Sequence, residues 1–304
     1  IEEELHGVNG SLISFISSYI EECESGVQEV SEGTIKNYRA HMSKLITYTG
    51  MIKASDLYFQ DIDMPFYTRF CNMLADQGCT TPGIDSHIKR LKKFMRESLD
   101  RGLHINRIFE TKEFRRRRAR KQDKIYLARE EVEQLIALDC TKMPESYRRE
   151  RDRWLISYFL LLRYSDTLNI RKDHFFELEG RIYYRNNAQK TKQTNYVPVS
   201  GRAWDILKRN EFNFGGANQV ANRVIKELAK KAGIDTNVGG RPKYELISTH
   251  TARRSMATQL HQSGMDIRTI MQLGGWRSEA AIKAYLLSSD LQLAQQAAQN
   301  ALFD

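Results

Sequence analysis

A basic stretch without apolar periodicity, TKEFRRRRARKQDK at residues 111–124, constrains the fold more than any other feature of the sequence. It offers almost no side chain that a hydrophobic core could hold, so the parts on either side must each bury a core of their own. Hydrophobic residues make up 41% of the 304 residues and charged residues 28%, which is typical of globular domains and excludes a fibrous or disordered chain. We therefore predict two domains joined by a basic linker.

The first part of the chain is predicted to be all-helical. Apolar residues recur at helical spacing in the segments 11–24, 34–48, 64–77 and 84–102. The remaining faces of the second and fourth helices carry basic side chains, which suit a clamp on duplex DNA but are more often plain solvated surface. The candidate DNA contacts on these two helices are Lys36, Arg39, Lys44, Lys89, Arg90 and Lys93.

The net charge is concentrated around the linker. Residues 1–104 hold 11 basic and 15 acidic side chains, whereas residues 105–124 hold nine basic and three acidic ones. A basic linker suits a path along a phosphate backbone, where each neutralised phosphate releases counterions. A solvated charge run or a localisation signal is the alternative. We predict DNA contacts from the group Arg115, Arg116, Arg117 and Arg118.

The second part combines helices with a short β segment. Strands are predicted at 175–178, 181–184 and 196–199, after a helix at 151–162 and before several further helices. The fold class is therefore mainly α with a small antiparallel β-sheet. The four cysteines lack C-x-x-C spacing, which argues against structural zinc and for a reducing compartment. No apolar run is long enough for a membrane span.

Several residues between positions 163 and 285 carry side chains that bind anions. His250 and Arg253 lie one turn apart at the start of a helix for which Ser248 or Thr249 is a good N-cap. Free N–H groups at a helix N-terminus add to their charge, which makes this a natural anion site. Upstream, Arg163 ends an apolar helix, where a guanidinium is costly without a partner.

Together with a lysine, a tryptophan and a tyrosine, these residues resemble the tyrosine recombinase (phage integrase) family. Its catalytic box reads H-x-x-R, then Gly followed by His or Trp, then a nucleophilic Tyr nine residues later, as in HTARRSMATQLHQSGMDIRTIMQLGGWRSEAAIKAY at 250–285. Arg163 and Asp166 match an earlier box, an apolar helix that ends in Arg with an acid three positions on. Lys190 and Pro198 match the family's hairpin lysine and strand proline. Here Thr-Ala follows the histidine instead of the commoner Asp-Leu, and Trp276 stands where most members have His.

The resemblance implies a transesterification that needs no cofactor and no metal. A tyrosine oxygen attacks a DNA phosphodiester, forms a 3′-phosphotyrosyl link and releases a 5′-hydroxyl. Two arginines bind the oxyanion and the tryptophan donates a further hydrogen bond, while the histidine acts as base and the lysine as acid. The implied catalytic residues are Tyr285 (nucleophile), Arg163, Arg253, Lys190, His250 and Trp276, with Asp166 orienting an active-site group from behind.

The resemblance covers nearly the whole chain and implies its domain organisation. A core-binding, SAM-like helical domain is expected at 1–104, a basic linker at 105–124 and a catalytic domain at 125–289. Residues 290–304 are expected to form a C-terminal helix. It either docks on a neighbouring protomer or packs on its own domain.

The expected function is site-specific DNA recombination, with integration or excision of a bacterial mobile element such as a conjugative transposon or prophage as the favoured role. A DNA invertase or chromosome-dimer resolvase, a type IB topoisomerase-like nicking-closing enzyme and an inactive DNA-binding regulator are the alternatives. The expected partners are double-stranded recombination sites, further copies of the chain (a dimer on one site, a tetramer in synapsis) and, as an optional class, accessory DNA-bending proteins, with no membrane. The expected location is the bacterial cytoplasm, at the nucleoid.

Overall fold

A computed structural model describes residues 10–114, 124–188, 193–283 and 286. The chain divides into two compact units, Ile1–Gln122 and Asp123–Asp304. In the part of the chain that is described, no helix is both long and apolar enough to span a bilayer.

Within residues 10–114 the first unit has four helices, α1 (Leu12–Glu24), α2 (Glu32–Met51), α3 (Met64–Asp76) and α4 (Thr81–Asp100), with 3₁₀ turns at Phe59–Asp61 and Ile108–Glu110. The helix starts follow from capping side chains. Ser11, Ser31 and Asp63 each accept a hydrogen bond from the backbone N–H three residues on. The four segments of helical spacing in the sequence are therefore the four helices of this unit.

Aromatic residues dominate the core of the first unit. Tyr19, Tyr38 and Phe94 meet edge to face, with ring centroids 5.0–6.1 Å apart, where α1, α2 and α4 pack together. A second aromatic cluster of Tyr48 and Phe66 joins α2 to α3 at 4.9 Å. Large rings bury much apolar area per residue, which lets a short four-helix unit hold a core of its own.

The second unit contains the remaining elements. Three strands between residues 175 and 198 form an antiparallel sheet in chain order, with Phe175 opposite Tyr184 and Tyr184 opposite Val197. The elements are α5 (Arg129–Ala137), α6 (Glu145–Phe159), α7 (Tyr164–Thr167), β1 (Phe175–Leu178), β2 (Arg181–Ala188), β3 (Gln193–Pro198), α8 (Gly201–Arg209), α9 (Asn218–Lys231), β4 (Asn237–Val238), β5 (Arg241–Pro242), α10 (Thr249–Gln262), α11 (Ile267–Gly274) and α12 (Glu279–Lys283).

Helix α6 is the centre of the second unit. Its Trp154, Leu155 and Ile156 are buried, and α8, α9 and α10 pack around it. The predicted fold class, mainly α with a small antiparallel sheet, is confirmed. Several predicted bounds were wrong: α6 spans Glu145–Phe159 rather than 151–162, β2 spans Arg181–Ala188 rather than 181–184, and β3 spans Gln193–Pro198 rather than 196–199. The short β4–β5 hairpin was not predicted.

Candidate active site

The turn after α6 places Arg163 at the start of α7. Leu162 N–H donates to Ser157 O at 3.0 Å, and Leu161 takes a left-handed conformation with φ +53°. A left-handed residue of this kind commonly ends a helix, and here it ends α6. Arg163 N–H then donates to Asp166 Oδ2 at 3.1 Å, and Arg163 Nη1 lies 3.7 Å from the same oxygen. The Asp166 carboxylate thus touches both the backbone and the guanidinium of Arg163.

Arg253 is completely buried within α10 and is held by three segments at once. Its Nη1 donates to Leu161 O, its Nη2 donates to Gly274 O at 2.6 Å, and its Cζ lies 3.8 Å from the centroid of the Trp276 ring. A buried guanidinium is tolerated only with such hydrogen bonds. Both carbonyls belong to helix C-terminal turns, whose partial negative charge favours a cation.

The Gly-Gly-Trp sequence has a conformational reason. Gly275 is left-handed at φ +67° and ends α11, with Trp276 N–H donating to Met271 O at 3.0 Å. A Cβ on Gly274 would lie 1.7 Å from Trp276 Cζ3, so only glycine fits beneath the indole. These constraints keep the Trp276 ring in contact with the Arg253 guanidinium.

His250 is exposed at the second position of α10. Thr249, the first residue of the helix, donates its N–H to Asn222 Oδ1 at 2.9 Å, and Trp154 Nε1 donates to Ser248 O at 3.1 Å. The helix start that carries His250 is therefore held by α9 and by α6. Because Arg253 lies one turn further along α10, this start, the Arg163 turn and the Trp276 segment form one site.

The predicted nucleophile Tyr285 and the predicted acid Lys190 lie outside the described residues, so their roles stay predictions. Two residues near Tyr285 are among those that the structure describes, and both pack close to the candidate site. Ile282 is buried in one apolar cluster with Leu161 and Trp276, and Leu286 packs against that cluster.

The candidate DNA contacts of the first unit differ in accessibility. Lys36 and Lys89 are exposed, Arg39 is exposed and paired with Glu24, and Arg90 is half-buried. Lys44, also half-buried, donates to Gln77 Oε1 at 2.5 Å. The Lys93 ammonium is buried 3.9 Å above the Tyr19 ring, so this lysine does not present its charge to a phosphate. Arg115 to Arg118 lie outside the described residues.

Sequence reasoning missed the residues whose hydrogen bonds support the segments of the candidate site. Asn195 on β3 donates to Leu273 O just before the Gly-Gly-Trp turn, and Tyr164 donates to Gly216 O at 2.6 Å. Tyr164 lies within the Arg163–Asp166 box but at a position that the motif does not specify, and Asn195 and Asn222 lie in no motif. A polar side chain at such a position gives no signal of a tertiary hydrogen bond.

Two arginines and a histidine lie around one helix N-terminus, an arrangement whose charges and N–H groups suit an oxyanion. The model of the Phage integrase SAM-like domain matches residues 11–115, and that of the Phage integrase family matches residues 216–291. The chain belongs to the phage integrase family of tyrosine recombinases, and it is therefore a DNA strand-transfer enzyme.

Tyrosine recombinases and solved structures of similar fold match between 54% and 94% of the chain. A tyrosine recombinase of Thermosipho africanus is 23% identical over 92% of this chain and 95% of its own length. Tyrosine recombinase XerD of Listeria monocytogenes is 23% identical, over 54% of this chain and 58% of its own length. In fold, the Tn1549 transposon integrase bound to circular intermediate DNA matches 94% of this chain and 98% of its own, with TM-score 0.69 and 12% identity. A lambda integrase dimer bound to a COC′ core site matches 92% and 78%, with TM-score 0.67 and 17% identity.

Proposed function

We propose that this chain is a site-specific recombinase that cleaves DNA with Tyr285 and rejoins it to a second strand. The phenol oxygen forms a bond to the scissile phosphorus, and the bond to the 5′-oxygen breaks. That oxygen leaves as a hydroxyl after taking up a proton. The hydroxyl of another strand then attacks the phosphotyrosine and releases the tyrosine. The phosphate bond energy is conserved in the protein–DNA link, so no nucleotide is consumed.

The observation that carries the proposal is the position of Arg253. This one side chain binds the turn that ends at Arg163 and packs on Trp276, and it lies on the helix that begins with His250. Two of its five N–H donors serve the carbonyls of Leu161 and Gly274. We infer that this guanidinium, which is fully buried here, stabilises the oxyanion once DNA binding has opened the site.

The other roles follow from the chemistry of each group. In the part of the chain that is described, Arg163 Nη1 is buried without a hydrogen-bond partner, which suits a donor reserved for a phosphate oxygen. A phenol with an ordinary pKa near 10 needs a base, and the exposed His250 is the group we assign. Lys190 is assigned as the acid for the leaving oxygen because an ammonium, unlike a guanidinium, can release a proton.

We infer that the biological role is integration or excision of a mobile element. The fold shared with the Tn1549 transposon integrase over nearly the whole chain supports this role. A DNA invertase or a chromosome-dimer resolvase uses the same chemistry and is the main alternative.

The partners we propose are duplex DNA and further copies of this chain. The lambda integrase structures that share the fold include a dimer on a core site and a tetramer on a Holliday junction. Residues 290–304, which lie outside the described residues, carry an apolar stripe without Lys or Arg, and we assign them to docking between protomers.

The test is covalent capture from random-sequence duplexes that carry a nick. Wild-type protein is expected to become attached to a subset of duplexes at the 3′-phosphate, and sequencing that subset gives the recombination site. Tyr285→Phe should bind the recovered site without forming the adduct. Adducts in the Phe variant, or none with the wild type, would contradict the proposal.

A further inference from the structure

The segment between α8 and the second turn of α9, residues 215–222, contacts the Arg163 side and the His250 side of the candidate site. On one side, Tyr164, which directly follows Arg163, donates its hydroxyl to Gly216 O at 2.6 Å. On the other side, Thr249, which directly precedes His250, donates its N–H to Asn222 Oδ1 at 2.9 Å. One short segment thus bonds to the sequence neighbours of two groups in the proposed site.

The contact on the Arg163 side lies among buried charged groups. Arg153 donates to Gly215 O at 2.9 Å and to Glu150 Oε1 at 2.5 Å, and its guanidinium lies 4.9 Å from the Tyr164 ring. Gly216 has φ +144°, and a Cβ there would lie 2.6 Å from Arg153 Nη2. The segment can therefore approach this ion pair only with glycine at 216.

The contact on the His250 side is fixed in orientation by a chain of amide hydrogen bonds. Asn222 Nδ2 donates to Asn218 O at 2.9 Å and to Asn218 Oδ1 at 3.0 Å, which turns Asn222 Oδ1 toward α10. Thr249 Oγ1 donates to the same Asn218 oxygen at 3.1 Å. Asn222 thus satisfies one of the N–H groups that every helix leaves unpaired at its start.

We propose that residues 215–222 act as a brace that sets the position of Arg163 relative to His250, with Tyr164 and Asn222 as its positioning residues. This inference rests on the proposed function. Arg253 holds the interior of the site, but His250 is exposed and Arg163 lies beyond the end of α6. The brace ties both to the same short piece of chain. A shift of about 1 Å between catalytic groups can lower a rate by about 100-fold, so the brace acts on cleavage and not on DNA affinity.

The experiment measures single-turnover cleavage and equilibrium binding on the nicked site recovered by covalent capture. Asn222→Leu removes the acceptor, and we expect cleavage to fall by about 10- to 100-fold at unchanged affinity. Asn222→Asp keeps an acceptor for Thr249 N–H and should recover a rate within about threefold of wild type, because helix N-termini favour carboxylates. Asn37→Leu is the matched control, since Asn37 makes the same bond to the carbonyl four residues earlier, at 2.8 Å, on α2.

The second part of the experiment tests whether the Tyr164 contact and the Asn222 contact act through the same segment. Tyr164→Phe removes only the hydroxyl, and Tyr147→Phe is its control because Tyr147 bonds to Glu227 on a different part of α9. If the brace is one unit, the Tyr164→Phe, Asn222→Leu double variant should retain at least about threefold more activity than the product of the single effects.

The outcomes separate the inference from the proposed function. Absence of adduct with wild-type protein contradicts the proposed function itself. When the wild type cleaves normally, any one of three results contradicts the brace alone. Asn222→Leu cleaves at the wild-type rate, Asn222→Asp is as slow as Asn222→Leu, or the effects of Tyr164→Phe and Asn222→Leu simply multiply in the double variant. Should Asn222→Leu fail to fold, Asn222→Asp and Tyr164→Phe, compared with Tyr147→Phe, decide the question by the ratio of cleavage rate to affinity.

Discussion

At the scale of single residues, Gly274 lies directly beneath the indole of Trp276, with no room for a side chain. A Cβ there would come within 1.7 Å of Cζ3, and the nearby backbone is fixed because Gly274 O accepts from Arg253. We expect Gly274→Ala to push Trp276 off Arg253 and to lower cleavage at least about tenfold.

The measurement is single-turnover cleavage together with thermal unfolding. Gly50→Ala on α2 is the control, because a Cβ there meets nothing within 4 Å and alanine is the better helix former. Equal activity of the two variants would show that the Trp276–Arg253 contact has no part in the reaction.

A buried histidine and a half-buried one link the two helices that carry most of the candidate DNA contacts. His41 on α2 and His87 on α4 have their Nδ1 atoms 3.1 Å apart. Burial, then the neighbouring His87 and Arg90, hold the pKa of His41 well below 6.5. Burial, with Arg90 and Lys44, lowers the pKa of His87 to about 4. Both histidines are therefore neutral in the folded protein at neutral pH.

This pair makes the first unit sensitive to acid. Below pH 6.5 the unfolded chain binds protons that the folded unit does not, so stability is complete above that pH and falls as the pH drops toward 4. Trp154, Trp204 and Trp276 all lie in the second unit, so circular dichroism should show a transition at pH 5 that tryptophan fluorescence does not report. His87→Gln should reduce the loss of stability of the first unit between pH 7 and pH 5. If the loss is unchanged in this variant, other groups cause it.

Motif spacing in the sequence predicts the members of the candidate site, but it does not predict which contacts hold them in place. Arg163, His250 and Arg253 follow from motif spacing, and the structure places them around α10. The complete burial of Arg253 and the stacking of Trp276 on it were not predictable, because both depend on how the ends of α6 and α11 meet. The supporting bonds of Asn222 and Tyr164 depend on the same tertiary packing.

At the scale of elements, α6 shows where apolar periodicity fails. Its first two turns are charged, yet Glu150, Arg151, Asp152 and Arg153 are all buried. A hydrophobic pattern cannot detect a helix face that is buried through ion pairs, so the predicted start came six residues late. The strand β1, which has β-type composition and a clear turn at Gly180, was predicted with its observed bounds.

Asp152 is the centre of the ion cluster that joins α6 to α8. It is completely buried and accepts from Arg209 Nε at 2.7 Å and from Asn210 Nδ2 at 2.8 Å, with Arg151 nearby at 3.5 Å. Asp152→Asn leaves these arginines without a counter-charge, and we expect the second unit to lose about 2–3 kcal/mol in its free energy of unfolding.

Urea unfolding followed by tryptophan fluorescence measures this loss. Asp205→Asn on α8 is the control, because its pair with Lys208 at 3.1 Å is exposed and should contribute nothing measurable. Similar midpoints for both variants would mean that the buried cluster does not hold the helices together.

At the scale of the whole molecule, the distribution of charge decides how the chain meets DNA. Residues 1–104 carry a net negative charge and residues 105–124 a net positive one, so overall charge alone does not identify the contact surface. Within the first unit the structure separates exposed cations, such as Lys36 and Lys89, from Lys93, whose ammonium lies against Tyr19. Only cations that reach phosphates release counterions on binding.

This distinction gives a measurable salt dependence. The slope of log affinity against log salt, measured on a duplex of arbitrary sequence, should become shallower by about 0.9 for each phosphate contact removed. We expect this change for Lys36→Ala and for Lys89→Ala, and a larger one when Arg115 to Arg118 are replaced together. Lys93→Met, which keeps the apolar stem, should leave the slope unchanged. A slope that responds to Lys93→Met as strongly as to Lys36→Ala would place the DNA on a different face of the helical unit.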